Sequence, residues 1–201
     1  MSTLISPIDS HVPPNYILDV KRVLTGEQFE QLCRDNRDMR LELTSKAELI
    51  IMPPTGSKSG RRNFEVSGQF ANWVKANGTG VGFDSSTGFV LPDGARLSPD
   101  VAWIKLERWV ALTEDEQEGF APLCPDFVIE IRSRSDNLPP LQDKMVEYIQ
   151  NGAQMSWLID PLKRRVYIYR SDQSVKLLED PVTVSGDEVL PGFELDVAVL
   201  W

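Results

Sequence analysis

Two acids stand at apolar runs. Asp100 opens the run Val101-Ala102-Trp103-Ile104, and Glu130 lies inside Phe127-Val128-Ile129-Glu130-Ile131. Strand side chains alternate between faces, so Glu130 and Arg132 share one face and Ile131 takes the other. A carboxylate beside a guanidinium is charged and held in place. With Asp100 on a neighbouring strand, both carboxylates could share one hard cation through oxygen ligands. Mg2+ so held lowers the pKa of a water and braces a phosphate under attack, while a nearby Lys or Arg stabilises the charge that develops. The chemistry implied is hydrolysis of a phosphodiester.

Glu130 carries more information than Asp100. An isolated buried charge is costly, so Glu130 needs a cationic partner (Arg132, Arg134 or Lys144) or a metal. The availability of Asp100 favours the metal. Asp100 by itself, following Pro99, reads as a residue that starts a strand. Lys144 flanks the apolar stripe of Leu141, Met145, Tyr148 and Ile149, so periodicity fits a surface lysine and a pocket lysine equally.

The runs PDVAWI (99–104), PDFVIEIRSRSD (125–136), LQDKMVEYIQNGAQMSWLIDP (141–161) and LPGFELDVAVLW (190–201) occur in that order. Together they resemble the Uma2 endonuclease family, common in cyanobacteria and similar to PD-(D/E)xK restriction endonucleases. The resemblance covers residues 25–201. It implies an α/β, restriction-endonuclease-like fold: a mixed central sheet flanked by helices, with an extra N-terminal helix and hairpin. It implies an endonuclease dependent on Mg2+ or Mn2+ and acting on nucleic acid, with DNA as the substrate. Asp100 matches the metal-binding Asp and Glu130 the Glu of the Glu-x-Lys motif, with the Ile131 carbonyl as a further ligand. Arg132 stands where the motif has Lys. In related proteins that Lys moves to the next helix, where Lys144 stands. Lys can lose its proton and Arg cannot, so the working cation stays open between Lys144 and Arg132. The resemblance also makes Glu65 a candidate metal ligand, although a solvated helix Glu beside Arg61 and Arg62 is the favoured reading. A homodimer suits the cutting of two strands. The rival reading is a catalytically inactive nuclease fold serving as a binding or regulatory module, which the Arg at position 132 and the acidic balance favour.

Composition bounds these readings. The chain has 201 residues, 41% of them hydrophobic, which suits one domain over residues 25–201 after an N-terminal arm of residues 1–24. No stretch reaches the ~18 consecutive apolar residues of a membrane span, and the N-terminus lacks a signal pattern. Two cysteines, Cys33 and Cys124, show no pairing motif, which points to a reducing cytoplasm. The one histidine, His11, argues against a His-based triad or a His-ligated zinc site. A net charge of −9 counts against non-specific DNA affinity, which comes from neutralising phosphates. Local basic clusters at Lys58, Arg61 and Arg62, and at Arg132, Arg134 and Lys144, would have to supply it.

The positioning elements follow from pattern. Thr25 and Gln28 have capping-box spacing, so a helix is expected to about residue 36. Strands are expected over 40–43 and 47–52, then a long helix over 58–77 stopped by Gly78. Residues 81–84 and 87–91 are expected to form a hairpin, and 113–119 an exposed acidic loop. Residues 127–131 read as a central strand, 133–140 as a loop, 141–150 as an amphipathic helix. Strands at 157–159, 166–169, 175–178 and 182–184 complete the sheet.

Overall fold

The computed structural model describes residues 16–20 and 24–201. Most of the expected arm, His11 included, lies outside the described residues. Thr25 starts α1 (Gly26–Asp35): its hydroxyl accepts from the Gln28 amide, and the Gln28 side chain accepts from the Thr25 amide. Helix α1 lays Phe29 on an antiparallel sheet ordered β1 (Tyr16–Asp19), β3 (Glu48–Met52), β2 (Arg40–Leu43), β6 (Arg96–Leu97) and β5 (Phe89–Val90). Alternation along β2 sends Leu41 and Leu43 into the core with Phe29 and Leu49, and turns Arg40 and Glu42 to the other face. Residues 16–19 were expected in the arm. They form a strand of this sheet instead, pairing with residues 48–51 and giving their backbone groups a ladder.

The larger sheet is ordered β11 (Val175–Glu179), β10 (Arg165–Arg170), β9 (Met155–Asp160), β8 (Phe127–Ile131), β7 (Val101–Lys105) and β4 (Gly80–Asp84). All its pairings are antiparallel except β8 with β9, which are parallel and joined by α5 (Leu138–Gln150). Strand β8 is buried along its whole length, as a run of Phe, Val and Ile requires. Phe127, Ile129 and Ile131 pack with Val66 and Phe70 of α2 (Ser57–Asn77). Val128 packs on the opposite face with Met145 and Tyr148 of α5. Each such side chain, fully buried, contributes about 1.5–3 kcal/mol. Glu130 follows the alternation onto the α5 face. Gly78, at φ 67°, closes α2 in the left-handed conformation that a side chain would disfavour.

Three further expectations are corrected. Residues 81–84 and 87–91 do not form a hairpin: β4 pairs with β7 in the large sheet, and β5 pairs with β6 in the small one. The Asp84 carboxylate accepts from the amide and hydroxyl of Ser86, and this local turn carries the chain from one sheet to the other. After α3 (Leu106–Trp109), the acidic segment is helical, α4 (Glu114–Glu118), because Thr113 and Glu116 cap it reciprocally. Helix α5 begins at Leu138, earlier than expected, since Pro139 and Pro140 fall in its first turn, where the missing N–H groups have no helical partner anyway. The ribbon of β12 (Thr183–Ser185) and β13 (Glu194–Asp196) closes the α2-side core with Val184, Phe193 and Leu195. Among the described residues, no helix is long and apolar enough to cross a membrane.

Candidate active site

Between β6 and β7 the chain steps from one sheet to the other through Ser98-Pro99-Asp100. Val101 pairs with Ile129, so the same register sets Asp100 opposite Glu130, with both side chains on one face. Asp100 is held on both oxygens. Its Oδ2 accepts the Ile131 amide at 2.8 Å. Its Oδ1 accepts Asn63 Nδ2 of α2 at 3.0 Å and Arg40 Nη1 of β2 at 3.3 Å. The Ile131 N–H thus points to the β7 side. Its carbonyl does the same, because the N–H and C=O of one strand residue share a side.

Lys144 bridges two acids. Its Nζ lies 2.6 Å from Glu130 Oε1 and 2.8 Å from Glu42 Oε1. The Tyr148 hydroxyl donates to Glu130 Oε1 at 3.4 Å, and the Tyr148 ring centroid lies 5.9 Å from the ammonium. Glu42 Oε1 also accepts the Ser98 amide at 2.9 Å, while Arg40 Nη2 donates to the Ser98 carbonyl at 2.6 Å. Glu42, Asp100 and Glu130 are 2%, 6% and 5% exposed, so their charges interact with little water between them.

Three carboxylates meet two cations here, Lys144 and Arg40, which leaves one negative charge in excess. Burial pushes the Glu130 carboxyl up; Lys144 pulls it down; Asp100 and Glu42 push it further up, and it comes to about 7. Burial alone would lower the Lys144 ammonium, but Glu130 and Glu42 outweigh it and raise the pKa, so Lys144 is a fixed cation. The excess charge is relieved by a proton on Glu130 or by an added cation. Among the described residues, no three His, Cys, Asp or Glu side chains form a metal cage of their own. Two carboxylates with a backbone carbonyl make an incomplete, all-oxygen set, which suits Mg2+ because that ion keeps several waters. The residues present fit such an ion.

The cluster lies in a groove of about 1820 Å3 between the two sheets, lined by six Lys or Arg and nine Asp or Glu side chains. Lys58, Arg62 and Arg134 lie along it. Arg61 is turned to the Val199 carbonyl and to Glu65. Glu65 itself is two residues from Asn63, hence about 200° round the helix, and pairs with Arg61 at 3.7 Å instead of joining the acids. Arg132 shares the face of Glu130 but not its site. The parallel register sets it beside Asp160, a wholly buried acid, to which Nη1 donates at 2.7 Å.

Residues 27–198 match the Uma2 family, described as "Putative restriction endonuclease". The chain belongs to the Uma2 family. The fold is shared with a solved structure from Anabaena variabilis, described as "a putative nuclease belonging to DUF820". The two align with a TM-score of 0.70 and 23% identity, over 88% of this chain and 97% of that one. No curated protein matches the chain.

In this Uma2 chain, sequence reasoning misses Arg40, Glu42, Asn63 and Tyr148 as members of the cluster. Tyr148 lay on the expected apolar stripe, where a hydroxyl asks for a buried partner. Arg40 and Glu42 alternate with Leu41 and Leu43, which reads as an ordinary solvated face. Nothing local shows that this face meets Ser98 and Asp100, 56 to 60 residues on.

Proposed function

We propose that this Uma2 protein is an endonuclease that hydrolyses phosphodiester bonds in DNA with Mg2+ or Mn2+. Asp100, Glu130 and the Ile131 carbonyl hold the ion, and Lys144 is the working cation. The observation that carries the reading is the opposition of Asp100 and Glu130 across β7 and β8, with the Lys144 ammonium 2.6 Å from Glu130. When bound, the ion lowers the pKa of a water and offsets charge on the phosphate. Asp100 is fixed by Asn63 and Ile131, so it keeps its orientation through the reaction. Lys144 has three donors and spends two on Glu42 and Glu130, leaving one for a substrate oxygen. DNA as substrate is supported by the family description. The acid-rich groove means that affinity rests on the ion and on Lys58, Arg62 and Arg134 rather than on overall charge. A homodimer would offer one site to each strand, and sedimentation of the purified protein checks it. The free thiols Cys33 and Cys124 fit a reducing cytoplasm.

The test incubates supercoiled plasmid and single-stranded DNA with the protein and Mg2+ or Mn2+. Cleavage is expected, and Asp100→Asn should reduce its rate by about 10²–10³-fold. Arg132→Met should leave the rate unchanged, yet cost about 3–5 kcal/mol in urea unfolding, because the wholly buried Asp160 loses its charged partner. An inert wild-type protein that also gives no heat with Mn2+ in calorimetry would support the inactive binding module instead.

A further inference from the structure

We propose that Glu42 is the positioning residue for Lys144, anchoring its ammonium while Glu130 serves the metal ion. The inference rests on the nuclease reading above. Glu130 has two tasks in that reading: it ligates the ion, and its Oε1 holds Lys144 and Tyr148. A bound divalent cation repels an ammonium on the same carboxylate, so Lys144 needs an anchor on its far side. Glu42 provides it at 2.8 Å.

The anchor is itself fixed. The Ser98 amide donates to the same Glu42 oxygen, and Glu42 sits on a strand paired on both sides, by β3 and β6. Arg40, two residues earlier on the same face, takes the Ser98 carbonyl. Strand β2 therefore grips both backbone polar groups of Ser98, two residues before Asp100, and holds Lys144 through Glu42. It sets the spacing between the cation and the metal-binding acid, which belong to elements far apart in the chain.

Glu42→Gln keeps the shape and an acceptor for Ser98 but removes the charge. In the plasmid assay, kcat should fall by about 10–100-fold, the usual cost of losing a supporting partner, while KM for DNA and the half-saturating Mg2+ concentration stay put. In a Lys144→Met background the same change should cost no further rate. A weakened Mg2+ response would make Glu42 a metal ligand and overturn the proposal, as would an unchanged kcat or an equal loss in the Lys144→Met background. NMR of nitrogen-labelled lysine ammonium groups tests the anchor without activity and without the Lys144→Met variant. The protected Lys144 signal should persist in wild type saturated with Mg2+ and in Glu130→Gln, and vanish in Glu42→Gln. Persistence in Glu42→Gln with loss in Glu130→Gln overturns the proposal. If the wild-type protein cuts no DNA, the nuclease reading falls, and the NMR pattern alone decides the anchoring.

Discussion

Replacing Lys144 with methionine is expected to slow hydrolysis by about 10²–10³-fold, to a residual rate that can still be followed, and to cost about 3–5 kcal/mol of stability at neutral pH, the usual cost of breaking a buried ion pair from one side. The stem of Lys144 is replaced well by Met, so the loss isolates the charge. Without the ammonium, Glu42 and Glu130 remain buried with no counter-ion between them, and Arg40 is already spent on Asp100 and Ser98. The penalty should shrink as pH falls through about 7, where Glu130, no longer held down by the ammonium, takes a proton and the repulsion is removed. Urea unfolding of both proteins at pH 5 and pH 7.5 checks this. Lys144→Arg should recover part of the stability but little of the rate, since a planar guanidinium cannot sit between two acids as a compact ammonium does. A Met variant within about 1 kcal/mol of wild type would mean that Lys144 does not hold the acids.

The sequence reveals the half of this site that comes from buried strands, and for a physical reason. A Glu inside a Val and Ile run violates the cost of burying charge, and the violation is visible without coordinates. The same logic fails for Glu42. It sits in an alternating Arg-Leu-Glu-Leu strand whose polar face looks solvated, and only the approach of the second sheet buries it. Arg132 shows the converse. Its two-residue spacing from Glu130 predicts a shared face correctly, yet its charge is claimed by Asp160, a partner that the alternation of β8 cannot reveal. Helices and central strands were legible because each carries its own period. The division of β4 and β5 between two sheets was not, because strand partners are chosen by tertiary contact rather than by local pattern.

Replacing Glu130 with glutamine should separate stability from function in opposite directions. Hydrolysis and Mn2+ binding are expected to disappear, because the second carboxylate of the metal pair is gone. Stability should rise at alkaline pH. Folding carries the Glu130 carboxyl from its usual 4.5 up to about 7, by burial first and then by Asp100 and Glu42, against the pull of Lys144 and Arg40. The folded protein therefore holds a proton there that the unfolded chain has already lost between those two values. Wild-type stability must fall as pH rises through that window, by up to about 3 kcal/mol for a shift of this size. Tyr148, also pushed up by burial and by Glu130, stays neutral throughout. Glutamine cannot ionise, so the variant lacks this slope and leaves Lys144 paired with Glu42 alone. Thermal melts at pH 5 and pH 8 should show the variant gaining about 1–3 kcal/mol on wild type at pH 8 and little at pH 5. Other titrating groups are common to both proteins and cancel in the difference. Saturating Mn2+ should raise the wild-type melting temperature at pH 8 and leave that of Glu130→Gln where it was, since only wild type has an ionised pair for the ion to bridge. Parallel pH curves for the two proteins would mean that Glu130 bears no excess charge, and with that the argument for a cation at this position would fail.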